Sequence, residues 1–401
     1  MIQGWKKKTL KEVCEKITDG THQTPKYFDD GIIFLSSKNV ASGKIDWDNI
    51  KYIDEKQHHE MHKRVAPKVN DILLAKNGTT GVAAMVDRDI VFDIYVSLAH
   101  IRVLDEISPN FMLYFINSPA AKKQFHKRLK GIGVPNLHLK EIREVEILYP
   151  KSLPEQKRIV AILDKAFAAI AKAKANAERN LKNAKELFES YLQGVFENKG
   201  EGWEEKKLGE VCHVKGGKRL PKGHKLTSED TGLPYIRARD LKQETVLVEQ
   251  TLFLKPETQN LIKNYTVKAG DVYITIVGVN IGDVGTIPAK MAGANLTENA
   301  AKIIIKNSIS NIYLVKWLTS ETSRRNIIRA TMAAAQGKLA LTRIKDLPIF
   351  YPPPEIQEEI LTKINNLSFE TKKLETIYQQ KIDDLKELKK SVLQKAFEGQ
   401  L

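Results

Sequence analysis

Only two cysteines, Cys14 and Cys212, occur in 401 residues, too few and too far apart for a disulfide framework or a cysteine-based metal site. A reducing, cytoplasmic setting is therefore expected. No apolar run approaches the ~20 residues that cross a bilayer. The positively charged start, MIQGWKKKTLKEV, is followed by no apolar stretch, so no signal peptide is expected. Catalytic signatures are missing too. There is no GxSxG, no P-loop, and no FxGxG-like cofactor loop with the Asn/Asp-Pro-Pro-aromatic tetrapeptide an adenine methyltransferase would need. Tyr351 to Pro354 is a proline run leading into a helix. His58, His59, Glu60 and His62 approach the HExxH pattern but fall one residue short. His58 and His62 are four apart with no third ligand apparent, so no metal is expected. These absences describe a binder, not a catalyst.

What is present in excess is positive charge. The formal net charge is +15, which favours a polyanionic partner, nucleic acid first and an acidic membrane surface second. Hydrophobic residues at 42% and charged residues at 28% are ordinary for a soluble protein, and the length predicts two to three domains.

Two stretches organise the chain, Pro154 to Asn198 and Pro354 to Gly399. Neither has an internal proline, and glycine is absent until their last few residues. Apolar residues in the first recur at Ile159, Leu163, Ala166, Ile170, Ala173, Ala177, Leu181, Ala184, Phe188, Tyr191 and Val195. In the second they fall at Ile360, Ile364, Leu367, Thr371, Leu374, Ile377, Leu385, Leu388 and Val392. Steps of three and four make a narrow coiled-coil seam. At ~1.5 Å per residue each helix would be roughly 65 Å long, and each seam is the natural partner of the other.

The rest of the chain repeats as well. GWKKKTLKEVC at Gly4 to Cys14 returns as GWEEKKLGEVC at Gly202 to Cys212, which predicts each cysteine to be a small buried residue of its own domain. VNDILLAKNGTTGVAAMV, from Val69, parallels KAGDVYITIVGVNIGDVGTI, from Lys268: a strand, a glycine-bounded turn and another strand. Neither turn opens a helix, so no nucleotide cradle is expected. One amphipathic helix follows in each copy, after Ser108 and after Ser310, with Phe115 matching Trp317 and Ser118 matching Ser320. KELFESYLQGVFE, from Lys185, pairs with KELKKSVLQKAFE, from Lys386. The expected fold class is α/β (α+β): two globular domains in pseudo-two-fold repeat, separated by two long antiparallel coiled-coil helices. The expected boundaries are 1–153, 154–200, 201–353 and 354–401, a dumbbell with a stiff spacer.

Frames agree between the copies, but the loops between strands do not, which suggests two sites of one kind with different preferences. Arg237, Arg239 and Lys38 suit guanine edges; Asn39, Asn77, Asn280 and Gln336 suit adenine. Lys218, Lys222, Lys76 and Lys130 suit phosphates.

Alternating variable regions and repeated helices, with frames GW…KLGEVC (Gly202 to Cys212) and YP…LPEQKRIVAIL (Tyr149 to Leu163), resemble the DNA-specificity subunits of Type I restriction–modification systems. PEQKRI at Pro154 to Ile159 is family-typical, while the second copy departs from it with Ile356 before Gln357. The resemblance implies target recognition domains that each read half of a bipartite, asymmetric DNA site. It also implies helices that set the gap and dock two methylation subunits, with restriction subunits joining for cleavage. Those methylation subunits would bind S-adenosylmethionine and methylate a flipped adenine; this chain would hold no cofactor and be no enzyme. B-DNA repeats every ~34–36 Å, so such helices would hold the readers about one turn apart. Candidate DNA contacts are Thr21, His22, Lys38, Asn39, Lys76, Asn77, Thr79, Thr80 and Asn136 in the first domain. In the second they are Lys218, Arg219, Arg237, Arg239, Asn280, Gln336 and Lys338. The alternative is a coiled-coil protein scaffold whose basic charge is incidental.

Overall fold

The computed structural model describes residues 3–129, 136–306, 308–332 and 337–401. The chain divides into two compact units, Met1–Arg179 with Tyr378–Leu401, and Asn180–Ile377. Each contains an α/β globule and parts of both long helices, the fold class expected from the repeat. Among the described residues no helix is long and apolar enough to cross a membrane.

In the first unit an antiparallel sheet runs in the order Cys14–Asp19, Leu98–Val103, Ile72–Ala75, Ala83–Met85. A second sheet holds Ile32–Leu35 between Lys51–Ile53 (antiparallel) and Phe92–Ile94 (parallel). A third pairs Trp5–Thr9 with Glu146–Pro150. Ile72–Ala75 is apolar at every position because it lies between two cores. Ile72 and Leu74 face one core, and Leu73 and Ala75 the other.

The second unit repeats this topology strand for strand. Its sheets run Cys212–Gly216, Ala300–Ile305, Val272–Thr275, Val284–Thr286; then Leu252–Phe253, Pro234–Ile236, Asn295–Leu296; then Glu204–Lys207 with Pro348–Tyr351. Val272 and Ile274 face one core and Tyr273 the other. Both cysteines are free and buried, each in its own core, and burial pushes each thiol up to about 12.

The amphipathic helix expected after Ser108 is two helices, Pro109–Ile116 and Pro119–Arg128. Its counterpart is also two, Asn311–Thr319 and Glu321–Met332. Pro119 cannot continue a helix, and Ser118 caps the new one by accepting from Ala121 N at 3.2 Å. Ser320 stands at the matching break, its Oγ accepting from Ser323 N at 3.4 Å.

The long helices span Leu153–Glu197 and Pro354–Phe397. The first seam is where the periodicity puts it: Ile159, Leu163, Ile170, Ala177 and Ala184 are buried at steps of four or seven. The second departs from expectation. Leu374, Ile377 and Leu388 are exposed, and the covered line passes Thr371, Glu375, Tyr378, Ile382 and Leu385. Two successive three-residue steps from Thr371 would rotate the stripe off the seam; alternating four and three keeps it in phase.

A glutamine ties each long helix to its globule. Gln156 is fully buried; its Oε1 accepts from Ser108 N (2.8 Å) and its Nε2 donates to Glu106 O and Pro150 O (both 3.0 Å). Gln357 makes the same three bonds to Ser310 N, Ser308 O and Pro352 O, at 2.9, 3.3 and 2.9 Å. The glutamine, not the proline, is the position the two copies share; Ile356 only fills the turn before it. At the far helix ends Phe397 packs edge-on against Phe111 and Phe115 in the first unit, and Phe196 against Tyr313 and Trp317 in the second.

Removing Gln156 or Gln357 by substitution with alanine orphans one buried donor and two carbonyls, at roughly 1–3 kcal/mol per group left unpaired. Denaturant unfolding should show each variant losing several kcal/mol, with hydrogen exchange rising first in the unit that carries the change. Equal exchange in both units would contradict this tie. Acid should also act on the first unit. Burial raises the Asp71 carboxyl, but bonds from His100 and the Arg102 fork outweigh it and hold the group at about 2, against an ordinary 3.8. The resulting stabilisation, on the order of 2 kcal/mol, is fully present above about pH 4 and is lost as pH falls toward 2. Asp71→Asn should flatten that acid limb in a stability–pH series.

Candidate nucleic-acid interface

In each globule the divergent loops converge on one short segment. In the first it is Tyr95–Ser97. Thr21 N donates to Ile94 O (3.0 Å) and Val96 N to Thr21 O (2.9 Å). Ser97 Oγ accepts from Ser37 N (3.0 Å), and Ser97 O accepts from Lys76 N (3.0 Å). Asn77 pairs with Asn136 across an isolated bridge, and Leu137 N donates to Lys76 O at 2.9 Å. The first-domain candidates are thereby brought to one edge. In the second globule Thr297–Asn299 does the same work. Lys218 N donates to Leu296 O (2.8 Å), Thr297 N to Ile236 O (3.0 Å), Ile276 N to Asn299 O (2.8 Å) and Leu339 N to Ile276 O (3.0 Å).

The candidates differ in what their side chains are free to do. Lys38 and Arg239 occupy the same place in matching 3-10 turns, Ser37–Val40 and Ala238–Asp240, and both are exposed. Among the described residues Arg239 bonds only within its own loop, donating to Gln250 Oε1 at 2.6 Å with its side chain 65% exposed. Asn39, expected to read a base, instead reaches back from the third position of its turn to the capping residue, Ser36. Its Oδ1 accepts from Ser36 N (2.9 Å) and its Nδ2 donates to Asn49 O (2.9 Å). Arg237 is likewise committed, forking onto both oxygens of Asp240 at 2.8 and 2.7 Å and reaching Gln250 O. Lys76, expected on a phosphate, is buried with its ammonium 2.7 Å from Asp19 Oδ2. Its position in the second unit is held by Ile276, inside a core.

The remaining candidates lie outward. His22 sits 3.2 Å from Asp19 with its ring largely exposed; Thr79, Lys218, Lys222 and Lys338 are exposed; Thr80 and Asn280 are half-buried at the hairpin tips. Arg219 is exposed but donates to Glu298 Oε1 at 2.6 Å. The side-chain oxygens of Asn77 and Asn136 are covered and have no hydrogen-bond partner among the described residues. Lys130 and Gln336 lie outside the described residues.

Four contributors escaped the sequence reading. Buried Asp19 gathers Lys76, Arg64 and His22. Burial raises its carboxyl, and the bonds from Lys76 and Arg64 outweigh that and hold it below the ordinary range. Arg64 also donates Nε to Asp19 O at 3.0 Å. Gly20 and Gly217, just before the first divergent loop of each copy, let two backbones meet. A Cβ at Gly20 would lie 1.9 Å from Ile94 O, and one at Gly217 would lie 2.0 Å from Thr297 O. A glycine immediately before each divergent loop was the available signal.

Gly20→Ala and Gly217→Ala should each force those backbones apart at a cost of roughly 1–3 kcal/mol. Gly194→Ala, in open space on a helix, should instead stabilise by about 0.5–1 kcal/mol. Thermal unfolding of the three variants checks both signs.

Residues 2–179 and 200–384 match the model of the Type I restriction modification DNA specificity domain family. The specificity subunit of the Type I restriction enzyme MjaIX of Methanocaldococcus jannaschii is 23% identical over 99% of this chain and 93% of its own length. That of StySPI from Salmonella potsdam is 21% identical over 100% and 89%. Among solved structures, a chain from work on complex assembly and conformational transition of the type I R-M system superposes with a TM-score of 0.75. It is 20% identical, covering 100% of this chain and 99% of that one. The HsdS subunit from Thermoanaerobacter tengcongensis gives 0.64 at 20% identity, covering 100% and 98%.

Proposed function

Since the chain belongs to the Type I restriction modification DNA specificity family, a non-catalytic DNA-binding subunit of Type I restriction–modification complexes, we propose that its two globules read different halves of one bipartite, asymmetric target. The domain limits of that reading are 1–153 and 201–353 for the readers, with 154–200 and 354–401 as spacer helices. The helices set the gap between half-sites and dock two methylation subunits. Those subunits, carrying S-adenosylmethionine, methylate adenine, and restriction subunits join for cleavage. The setting is cytoplasmic.

The observation that carries this reading is one scaffold with unlike side chains at matching outward positions. Lys38 in one turn stands where Arg239 stands in the other. The hairpin tips are Gly78-Thr79-Thr80 and Gly278-Val279-Asn280. An arginine fork can take guanine O6 and N7 together, whereas a lysine offers one point charge. Lys218, Lys222 and Lys338 supply phosphate contacts, which hold the duplex without reading it.

Arg239→Ala should relax sequence preference in one half-site, by about 1–3 kcal/mol of discrimination, and leave the other half unchanged. Methylome sequencing of a host expressing the variant with its methylation subunit reads this directly. Equal loss on every DNA sequence would make Arg239 a phosphate contact. Filter binding of random duplex across a salt series should show steep weakening with salt; no DNA binding at any salt would favour the protein-scaffold alternative.

A further inference from the structure

The histidine run that fell short of HExxH finds its third partner across the fold. His58 lies on the helix Glu55–Met61 and His62 caps its C-terminal end. Four residues apart, they share one helix face. Both turn Nδ1 toward Asp93, on the strand Phe92–Ile94, at 2.7 and 3.0 Å. Asp93 is fully buried, while the His58 and His62 side chains are 16% and 31% exposed. The ring centroids are 4.6 Å apart, and one ligand atom from each of the three residues lies within 4.8 Å of the others. Among the described residues this is the one such group of three.

The second unit shows what the fold alone requires at this place. Asn295 occupies the position of Asp93 in the matching sheet. Its Nδ2 donates to Ile262 O, at the end of the matching helix, at 2.7 Å. One neutral amide is enough to tie helix to strand there. The first unit uses a buried carboxylate and two imidazoles for the same tie, a donor set in excess of the structural need.

We propose that His58, His62 and Asp93 form a binding site for a divalent transition-metal ion of the zinc class, which locks the Glu55–Met61 helix onto the first recognition sheet. Two imidazoles and one carboxylate suit zinc and its neighbours, not magnesium or calcium, which take oxygen ligands. Metal–nitrogen bonds of ~2.0–2.1 Å at tetrahedral angles set ligand atoms about 3.3 Å apart; on binding, the contacts of His58 and His62 to the two Asp93 oxygens, 2.7 and 3.0 Å, open, and the set, which lies within 4.8 Å, closes to that spacing. In the metal-free contacts Nδ1–H donates to the Asp93 carboxylate; on binding, the ion takes the Nδ1 lone pair, the displaced protons go to solvent, and each neutral imidazole keeps its proton on Nε2. The His62 side, 31% exposed, is where water would complete the coordination.

The locked helix also holds a divergent loop. Gln57 Oε1 accepts from Lys26 N (2.8 Å) and its Nε2 donates to Lys26 O (3.0 Å), fixing the loop Thr21 to Asp30. Metal binding therefore stiffens a loop of the first globule and none of the second.

The test uses the tag-free full chain, stripped with chelator, desalted and titrated with zinc(II) and, separately, cobalt(II). About one equivalent of zinc should bind per chain, the melting temperature should rise with it, and cobalt should give visible d–d bands of a nitrogen–oxygen site. Asp93→Asn, which copies the second unit's Asn295, and His62→Gln should keep the native circular dichroism. Both should bind zinc at least about tenfold more weakly and lose the zinc-dependent rise in melting temperature. Failure of the folded wild-type chain to retain zinc overturns the proposal. So does undiminished zinc binding by both folded variants, which would put the ion elsewhere.

Discussion

A side-chain amide buried at the root of each long helix is the constraint on which the architecture turns. Gln156 and Gln357 each satisfy one backbone N–H and two backbone carbonyls where the globule hands over to the helix. A helix of 45 residues acts as a lever, so a small error in its starting direction grows along its length. Three hydrogen bonds from one planar group fix that direction without a charge to desolvate. The aromatic ends, Phe196 and Phe397, then enter cores in which Trp317 and Phe115 hold the same place.

Some of the basic side chains are committed inside the fold, each with an acid, so the excess of +15 is left to the rest. Lys76 neutralises Asp19, Arg102 and His100 hold Asp71, and Arg237 is folded onto Asp240. The surplus that can meet an anion is a smaller and more selective set, with Lys38, Lys218, Arg239 and Lys338 on the outward loops. Base recognition depends on where a donor is held, and the committed residues do the holding. Asn39 and Asp240 shape their turns so that Lys38 and Arg239 project.

The repeat, the matching strand–turn–strand segments and the first helical seam were legible because each is written as a period or as a copy. The second seam misled at Leu374 and Ile377, since apolar residues there continue a plausible count while the covered stripe passes Glu375 and Tyr378. Helix breaks at Ser118 and Ser320 were hidden inside one apolar pattern, though Pro119 marked one of them. Individual contacts were less legible than elements. Asn39, Arg237 and Lys76 have the chemistry of base or phosphate readers, and only the fold shows their atoms already taken. The pairing of Asp93 with His58 and His62 joins segments more than thirty residues apart, with no local signal to announce it.

The neutral tie at Asn295 has a chemical vulnerability that its charged counterpart lacks. Hydrolysis of that side-chain amide would leave a carboxylate facing the Ile262 carbonyl oxygen, two acceptors in contact and no imidazole at hand. Asp93 meets its neighbours as a carboxylate from the outset. Deamidation at this tie would loosen helix from strand in the second unit, a failure that the corresponding tie of the first, built on Asp93, cannot suffer.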